Sequence, residues 1–225
     1  MFELFKSLPS PEFEVLTKIE TRYNYLFEYA PKFEYWNLYD KYKHRNDMSR
    51  PDNVCGYIQR IYESYWCVRK FIESGGTPGI ALCAGQAPGL FTVTNDFYYG
   101  ESHPEYGGAY HPHIVHDAAK LPFIGSNTFP IATCLHGLEH LENTKEVLQE
   151  WIRIVQPDGL VLVIFPDENY TGKGGGMDHS HKECHSATSF KERILPEIQN
   201  WAYVEEYDTL KNNFSVNLLL RKKRF

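Results

Sequence analysis

The sequence predicts an α/β fold: a doubly wound, mostly parallel sheet with an antiparallel last strand, preceded by an N-terminal helical cap. Three observations predict it. From Gly79 onward, short and continuously apolar runs alternate with helical segments, the pattern of parallel strands buried on both faces. The last two apolar runs are separated only by a short loop at Lys211 to Asn213, which suits an antiparallel pair. Before residue 78 the apolar spacing is helical instead. The chain therefore divides into an aromatic-rich helical cap, residues 1–78, and a sheet domain, residues 79–225.

In the first region, Phe13, Val15, Leu16, Ile19, Tyr23 and Leu26 mark a helix from Pro11 to Tyr29, which Pro31 stops. Val54, Ile58, Ile61, Tyr62, Tyr65, Val68, Phe71 and Ile72 mark a second, from Asp52 to Glu73, ended by Ser74-Gly75-Gly76. An aromatic, charged connector around Trp36 to Met48 lies between them. Aromatic residues make up 15% of the chain, and many lie before residue 72. Such side chains bury a large apolar body while satisfying a polar tip, which suits a cap or a pocket wall.

In the second region, Gly79 to Ala84 is a short buried strand that breaks into the small-residue loop Gly85-Gln86-Ala87-Pro88-Gly89. Phe91 to Asn95 is a second strand ending at Asp96, and Ile114 to Asp117 is a third. Pro130 to Leu135 is a fourth. Asn143 to Val155 is an amphipathic helix with Val147, Leu148, Trp151, Ile152 and Val155 on one face, capped by Asn143 or Thr144. Pro157-Asp158-Gly159 turns into a fifth strand, Leu160 to Phe165, stopped by Pro166. A helix over Ser189 to Asn200 and strands over Tyr203 to Tyr207 and Phe214 to Leu220 complete the domain.

The length of 225 residues allows one sizeable core with a small appendage. With 42% apolar and 23% charged residues, wholesale disorder is excluded. No apolar run approaches the roughly 18–20 residues of a membrane span. The opening MFELFKSLPSPEFEVL places acids among its apolar residues, unlike a secretory signal. A net charge of −6 argues against nucleic acid as a partner, and the basic run Arg221 to Arg224 is expected to be a solvated strand end. Five scattered cysteines without a CxxC pair argue against disulfides or a cysteine zinc site and fit a cytoplasmic protein.

In parallel sheets of this kind ligands bind at the carboxyl ends of the strands. The small residues after the first strand let a ligand approach the backbone. Asp96 can accept hydrogen bonds from two ribose hydroxyls. Asp117 and the next backbone N–H can read an adenine edge, with Leu121 and Phe123 packed beneath. His136 and His140 follow the fourth strand at a spacing that a metal site could use, but this is not HExxH and no third ligand is placed by the sequence. After the fifth strand comes a glycine-rich, histidine-rich segment, Gly172 to His185, whose glycines read as a mobile lid. A metal set of Asp178, His179, His181 and His185 is the weaker reading, so the expected metal content is none.

Residues 116 to 167 resemble the middle of class I S-adenosylmethionine-dependent methyltransferases of the small-molecule and glycan-tailoring type. The resemblance rests on Asp117, Leu121-Pro122-Phe123, Leu138-Glu139-His140, Glu150-Trp151 with Arg153, and Pro157-Asp158-Gly159, in order and at the family's spacing. With the glycine loop and second strand it spans about residues 79 to 221. It implies a Rossmann-like seven-stranded sheet and S-adenosylmethionine as cofactor. It further implies that Gly85, Gln86 and Ala87 line the methionine and ribose side, that Asp96 holds the ribose, that Asp117 and Ala118 hold the adenine, and that His136 sits beside the sulfonium.

In related enzymes an Asp-x-x-His-x-x-x-x-Thr segment borders the substrate, and Asp178, His181 and Thr188 stand in comparable places. His181, with His140 as a second candidate, is then the expected catalytic base, and the acceptor is a small molecule or sugar methylated on oxygen. The N-terminal helices either close over the acceptor or form a homodimer surface. Three features depart from the family pattern: Cys83 in place of an acid, Ala87 in place of a glycine, and only about ten residues between Gly85 and Asp96. A fourth is Pro130, where an aspartate usually precedes the fourth strand. These motivate an alternative, a non-catalytic cofactor-binding or regulatory protein on the same fold. A histidine-site metal hydrolase and a nicotinamide oxidoreductase are weaker alternatives.

Overall fold

A computed structural model describes residue 70 and residues 79–84, 93–97, 112–171, 180–209 and 215–224. The chain divides into two units, Met1–Gly76 and Thr77–Phe225. Lys70 apart, the first unit lies outside the described residues, and with it both expected N-terminal helices and their connector. The loop at Gly85 to Gly89, Phe91, Asp178, His179 and the loop at 211–213 lie outside them too.

In the second unit, the strands are β1 (Ile80–Leu82), β2 (Val93–Asp96), β3 (Ile114–Val115), β4 (Phe129–Leu135), β5 (Val155–Pro166), β6 (Ala202–Thr209) and β7 (Ser215–Lys222). They form a seven-stranded sheet in the order β3-β2-β1-β4-β5-β7-β6. The β1–β2, β2–β3, β1–β4 and β4–β5 pairs are parallel, and β7 runs antiparallel to both β5 and β6. This is the predicted Rossmann-like sheet. Chain order reverses between β1 and β4, the switch point at which such sheets open a crevice.

Apolar residues on these strands meet one long helix, α1 (Thr144–Ile154), in the core. Val147, Leu148, Trp151, Ile152 and Ile154 are its buried positions. The Trp151 indole is fully buried and donates to the Ala118 carbonyl (2.9 Å). Glu150 and Arg153, one turn apart, clamp the segment after β3: Glu150 accepts from Leu121 N (2.7 Å), and Arg153 donates to the carbonyls of Leu121 (3.0 Å) and Ile124 (2.8 Å). The Glu-Trp-x-Arg pattern is thus a device that fixes the β3–β4 connection. Leu121 is buried in the core, whereas Phe123 is 56% exposed and lies edge-on to His116 (5.0 Å).

Several boundaries differ from the expected ones. β5 begins at Val155, before the Pro157-Asp158-Gly159 turn, and takes the turn in as an irregularity in its register with β4. A Cβ at Gly159 would lie 2.7 Å from the Gln156 carbonyl oxygen, so glycine is required there. The helix expected over 189–200 is two short ones, α3 (Ala187–Arg193) and α4 (Leu195–Ile198), after a single turn α2 (Glu168–Thr171). Pro196 has no N–H to continue the first ladder. Ser186 starts α3 earlier by accepting from Ser189 N (3.1 Å).

Candidate functional site

The carboxyl ends of β1, β2, β3 and β4 are tied together by backbone geometry. Cys83 and His136, which follow β1 and β4, both take positive φ (51°), a turn away from the strand direction. A Cβ on the next residue, Gly137, would lie 2.4 Å from Cys83 Cβ and 2.8 Å from Cys134 Sγ, so the two strand ends approach too closely for any other residue. Cys134 is buried and its thiol pKa is raised well above the usual value, by burial first and then by the neighbouring Cys83. At the β2 end, Asn95 donates to the carbonyls of Ile114 (3.3 Å) and His116 (2.8 Å), and its own carbonyl receives Ala84 N (2.9 Å). These bonds set the rim on which Asp96 sits, only 8% exposed.

Of the expected cofactor residues, Gly85, Gln86 and Ala87 lie outside the described residues. Asp117 is exposed after β3, and its Oδ1 accepts from Ala119 N (2.9 Å). Ala118 is buried with its carbonyl on Trp151. His136 N donates to the Ile164 carbonyl (2.8 Å), fixing it at the β4–β5 rim.

His136, His140 and His181 are brought together by a residue to which sequence reasoning gave no role. Glu139, 4% exposed, lies in a single 3₁₀ turn (Leu138–His140) after β4. Its Oε1 is 3.7 Å from His136 Nδ1, 3.8 Å from His140 Nε2 and 4.0 Å from His181 Nε2. The rings of His140 and His181 meet edge-on at 4.8 Å. Ser180 approaches His140 Nδ1 through its hydroxyl (2.9 Å) and carbonyl (3.3 Å), and Cys184 Sγ lies 3.7 Å from His181 Nδ1. The only hint in the sequence is the run His136-x-x-Glu139-His140, which puts three polar side chains within about one turn.

The segment that delivers His181 is docked from both sides. Lys182 N (2.8 Å) and Glu183 N (3.2 Å) donate to the Glu139 carbonyl. Glu183 accepts from Thr144 N (2.9 Å), and His185 Nε2 pairs with the Thr144 hydroxyl (2.9 Å). Glu168 N donates to the His185 carbonyl (3.0 Å), and Asp167 accepts from Ala187 N (3.3 Å). His185 is thus committed to the α1 terminus and points away from the three-histidine group. Burial pushes its pKa below the usual histidine value, against the opposing pull of Glu183.

This arrangement can take a proton from a hydroxyl, since Glu139 can stabilise the imidazolium that results. It can also hold a divalent ion: Glu139, His140 and His181 each offer one ligand atom, all within 4.8 Å of one another.

Residues 101–163 match a family described as a methyltransferase domain. No curated protein matches the chain in sequence. Solved structures share its fold. An S-adenosylmethionine-dependent methyltransferase from Mesorhizobium loti aligns with a TM-score of 0.54 at 10% identity, covering 71% of this chain and 98% of that one. A protein from Pyrococcus horikoshii OT3 aligns with a TM-score of 0.53 at 17% identity, covering 85% and 99%. A Haloferax volcanii methyltransferase solved with the Trm112 methyltransferase activator aligns with a TM-score of 0.50 at 13% identity, covering 67% and 83%.

Proposed function

We propose that this chain is a class I S-adenosylmethionine-dependent methyltransferase and that it methylates a hydroxyl group of a small molecule or sugar. The observation that carries the acceptor chemistry is the convergence of His140 and His181 on the buried Glu139 carboxylate at the end of β4. The residues of the rim fit the cofactor. Asp96, a nearly buried carboxylate at the end of β2, has the chemistry to accept from two ribose hydroxyls. Asp117 and Ala118 follow β3, where the adenine is expected, and His136 follows β4, on the sulfonium side. Gly85, Gln86 and Ala87 complete the set from the sequence. When bound, S-adenosylmethionine supplies an electrophilic methyl group.

The chain's own contribution is orientation, dryness and a base. His181, with an 8% exposed side chain, is the first choice of base and His140 the second. Ser180 and Cys184 hold the opposite ring nitrogens, so each Nε2 is directed inward toward Glu139. A net charge of −6 disfavours nucleic acid as the acceptor. Among the described residues no helix is long and apolar enough to cross a membrane. Five scattered cysteines without a CxxC pair suit a reducing compartment, and we place the protein in the cytoplasm.

The test is production of S-adenosylhomocysteine by chelator-treated protein supplied with S-adenosylmethionine and a panel of hydroxylated small molecules and monosaccharides. His181→Ala is expected to lower kcat by about 10²–10⁴-fold with affinity for S-adenosylhomocysteine unchanged. Equal turnover removes His181 as the base. Reaction of amine or thiol acceptors alone removes the oxygen assignment.

A further inference from the structure

We propose that Glu139, His140 and His181 form a binding site for a divalent transition-metal ion of the zinc class. Three observations carry it. His140 Nε2 and His181 Nε2 lie 3.8 and 4.0 Å from one Glu139 oxygen, and the three ligand atoms lie within 4.8 Å of one another. Ligands at about 2.1 Å from a tetrahedral ion stand about 3.4 Å apart, so the widest pair must close by about 1.4 Å, a movement of roughly 0.7 Å for each side chain.

The second observation is the environment of the ligands. A metal-binding imidazole characteristically commits its other nitrogen to a hydrogen bond, which fixes the ring and its tautomer. Both rings here do so: His140 Nδ1 on Ser180 and His181 Nδ1 toward Cys184 Sγ. With Nδ1–H of His140 directed at the Ser180 carbonyl, its Nε2 lone pair faces Glu139.

The third is rigidity and burial. Glu139 and His140 share one 3₁₀ turn, and the segment bearing His181 is bonded to that turn through Lys182 N and Glu183 N on the Glu139 carbonyl. The Glu139 carboxylate and the His181 ring are 4% and 8% exposed. An ion there places positive charge beside a carboxylate withdrawn from water.

Two imidazoles and a carboxylate make a three-ligand set, which leaves a fourth position of a tetrahedral ion for water or another ligand. Nitrogen-rich donors favour zinc, cobalt, nickel or copper over magnesium or calcium. The site draws on the ligand geometry and not on the identity of the acceptor. It shares its ring nitrogens with the proposed base, so one molecule uses them for one purpose at a time.

The experiment is titration of chelator-treated protein with Co²⁺, followed by visible absorption and then by displacement with Zn²⁺, in the absence of acceptor. One Co²⁺ per chain with the intense bands of a tetrahedral site is expected. His140→Ala should weaken binding at least tenfold, and the His140→Ala, His181→Ala double variant should abolish the bands. Mg²⁺ should not compete. Thermal unfolding followed by circular dichroism checks that each variant is folded. Absence of bands at millimolar Co²⁺ in folded protein overturns the proposal. So does undiminished binding by the double variant, which would move the ion to other histidines. The base assignment is read separately, from turnover of chelator-treated protein, so either idea can fail alone.

Discussion

Asp96 shows how much a single residue can carry. It ends β2, beside β1 and one strand from the switch point of the sheet, on a rim held by Asn95 and Ala84. In the proposed cofactor site its carboxylate accepts from the ribose hydroxyls. Asp96→Ala should therefore weaken S-adenosylhomocysteine binding by about 1–3 kcal/mol, the cost of charge-assisted hydrogen bonds. Isothermal titration measures this, and unchanged affinity in folded protein removes Asp96 from the ribose role. Glu139 carries information of another kind. As a letter in Leu138-Glu139-His140 it reads as part of a family pattern, whereas its meaning comes from burial beside three imidazoles.

Among the elements, α1 shows most clearly where local reasoning stops. Its apolar face was legible from the 3.6-residue period, and Val147, Leu148, Trp151 and Ile152 are indeed buried. Its cap was not legible. Asn143 occupies the N-cap in a left-handed conformation (φ 61°) and makes no side-chain cap bond. Glu183 instead reaches Thr144 N from a segment 39 residues away. A carboxylate at a helix N-terminus satisfies an orphan N–H and complements the helix dipole. Glu183→Ala should lower stability by about 1 kcal/mol, seen as a lower Tm. Because Glu183 docks the segment that delivers His181, the same variant should also raise the mobility of that segment. A Tm equal to that of the parent would show that the cap contributes nothing.

Across the molecule, the segment 180–187 couples the candidate site to overall stability through His185. Burial disfavours its charged form, and of the charged neighbours Glu183 and Glu168 oppose this while Arg193 adds to it. Its folded-state pKa is depressed, so the unfolded chain takes up the proton first as pH falls. Stability from the neutral ring is present above the ordinary histidine pKa of about 6.5 and is lost as pH drops through that value toward the lower folded one. Thermal unfolding should show Tm falling between pH 7.5 and 5.5, with a shallower slope in His185→Gln. Equal slopes would assign the acid sensitivity to other groups.

By itself the sequence determined the sheet, the helix faces and the motif Glu150-Trp151-x-Arg153, because continuous apolar runs and local spacing act over a few residues and survive into the fold. Only the tertiary structure decided the exposure of Phe123, the break before Pro196 and the origin of the α1 cap. It alone also decided which histidines meet. His140 and His181 are separated by 41 residues, and His185 lies only four residues beyond His181. Yet His140 and His181 share the Glu139 carboxylate, while His185 turns to Thr144. Strand pairing and docking of the segment after β5 select those contacts, and neither is written in local periodicity.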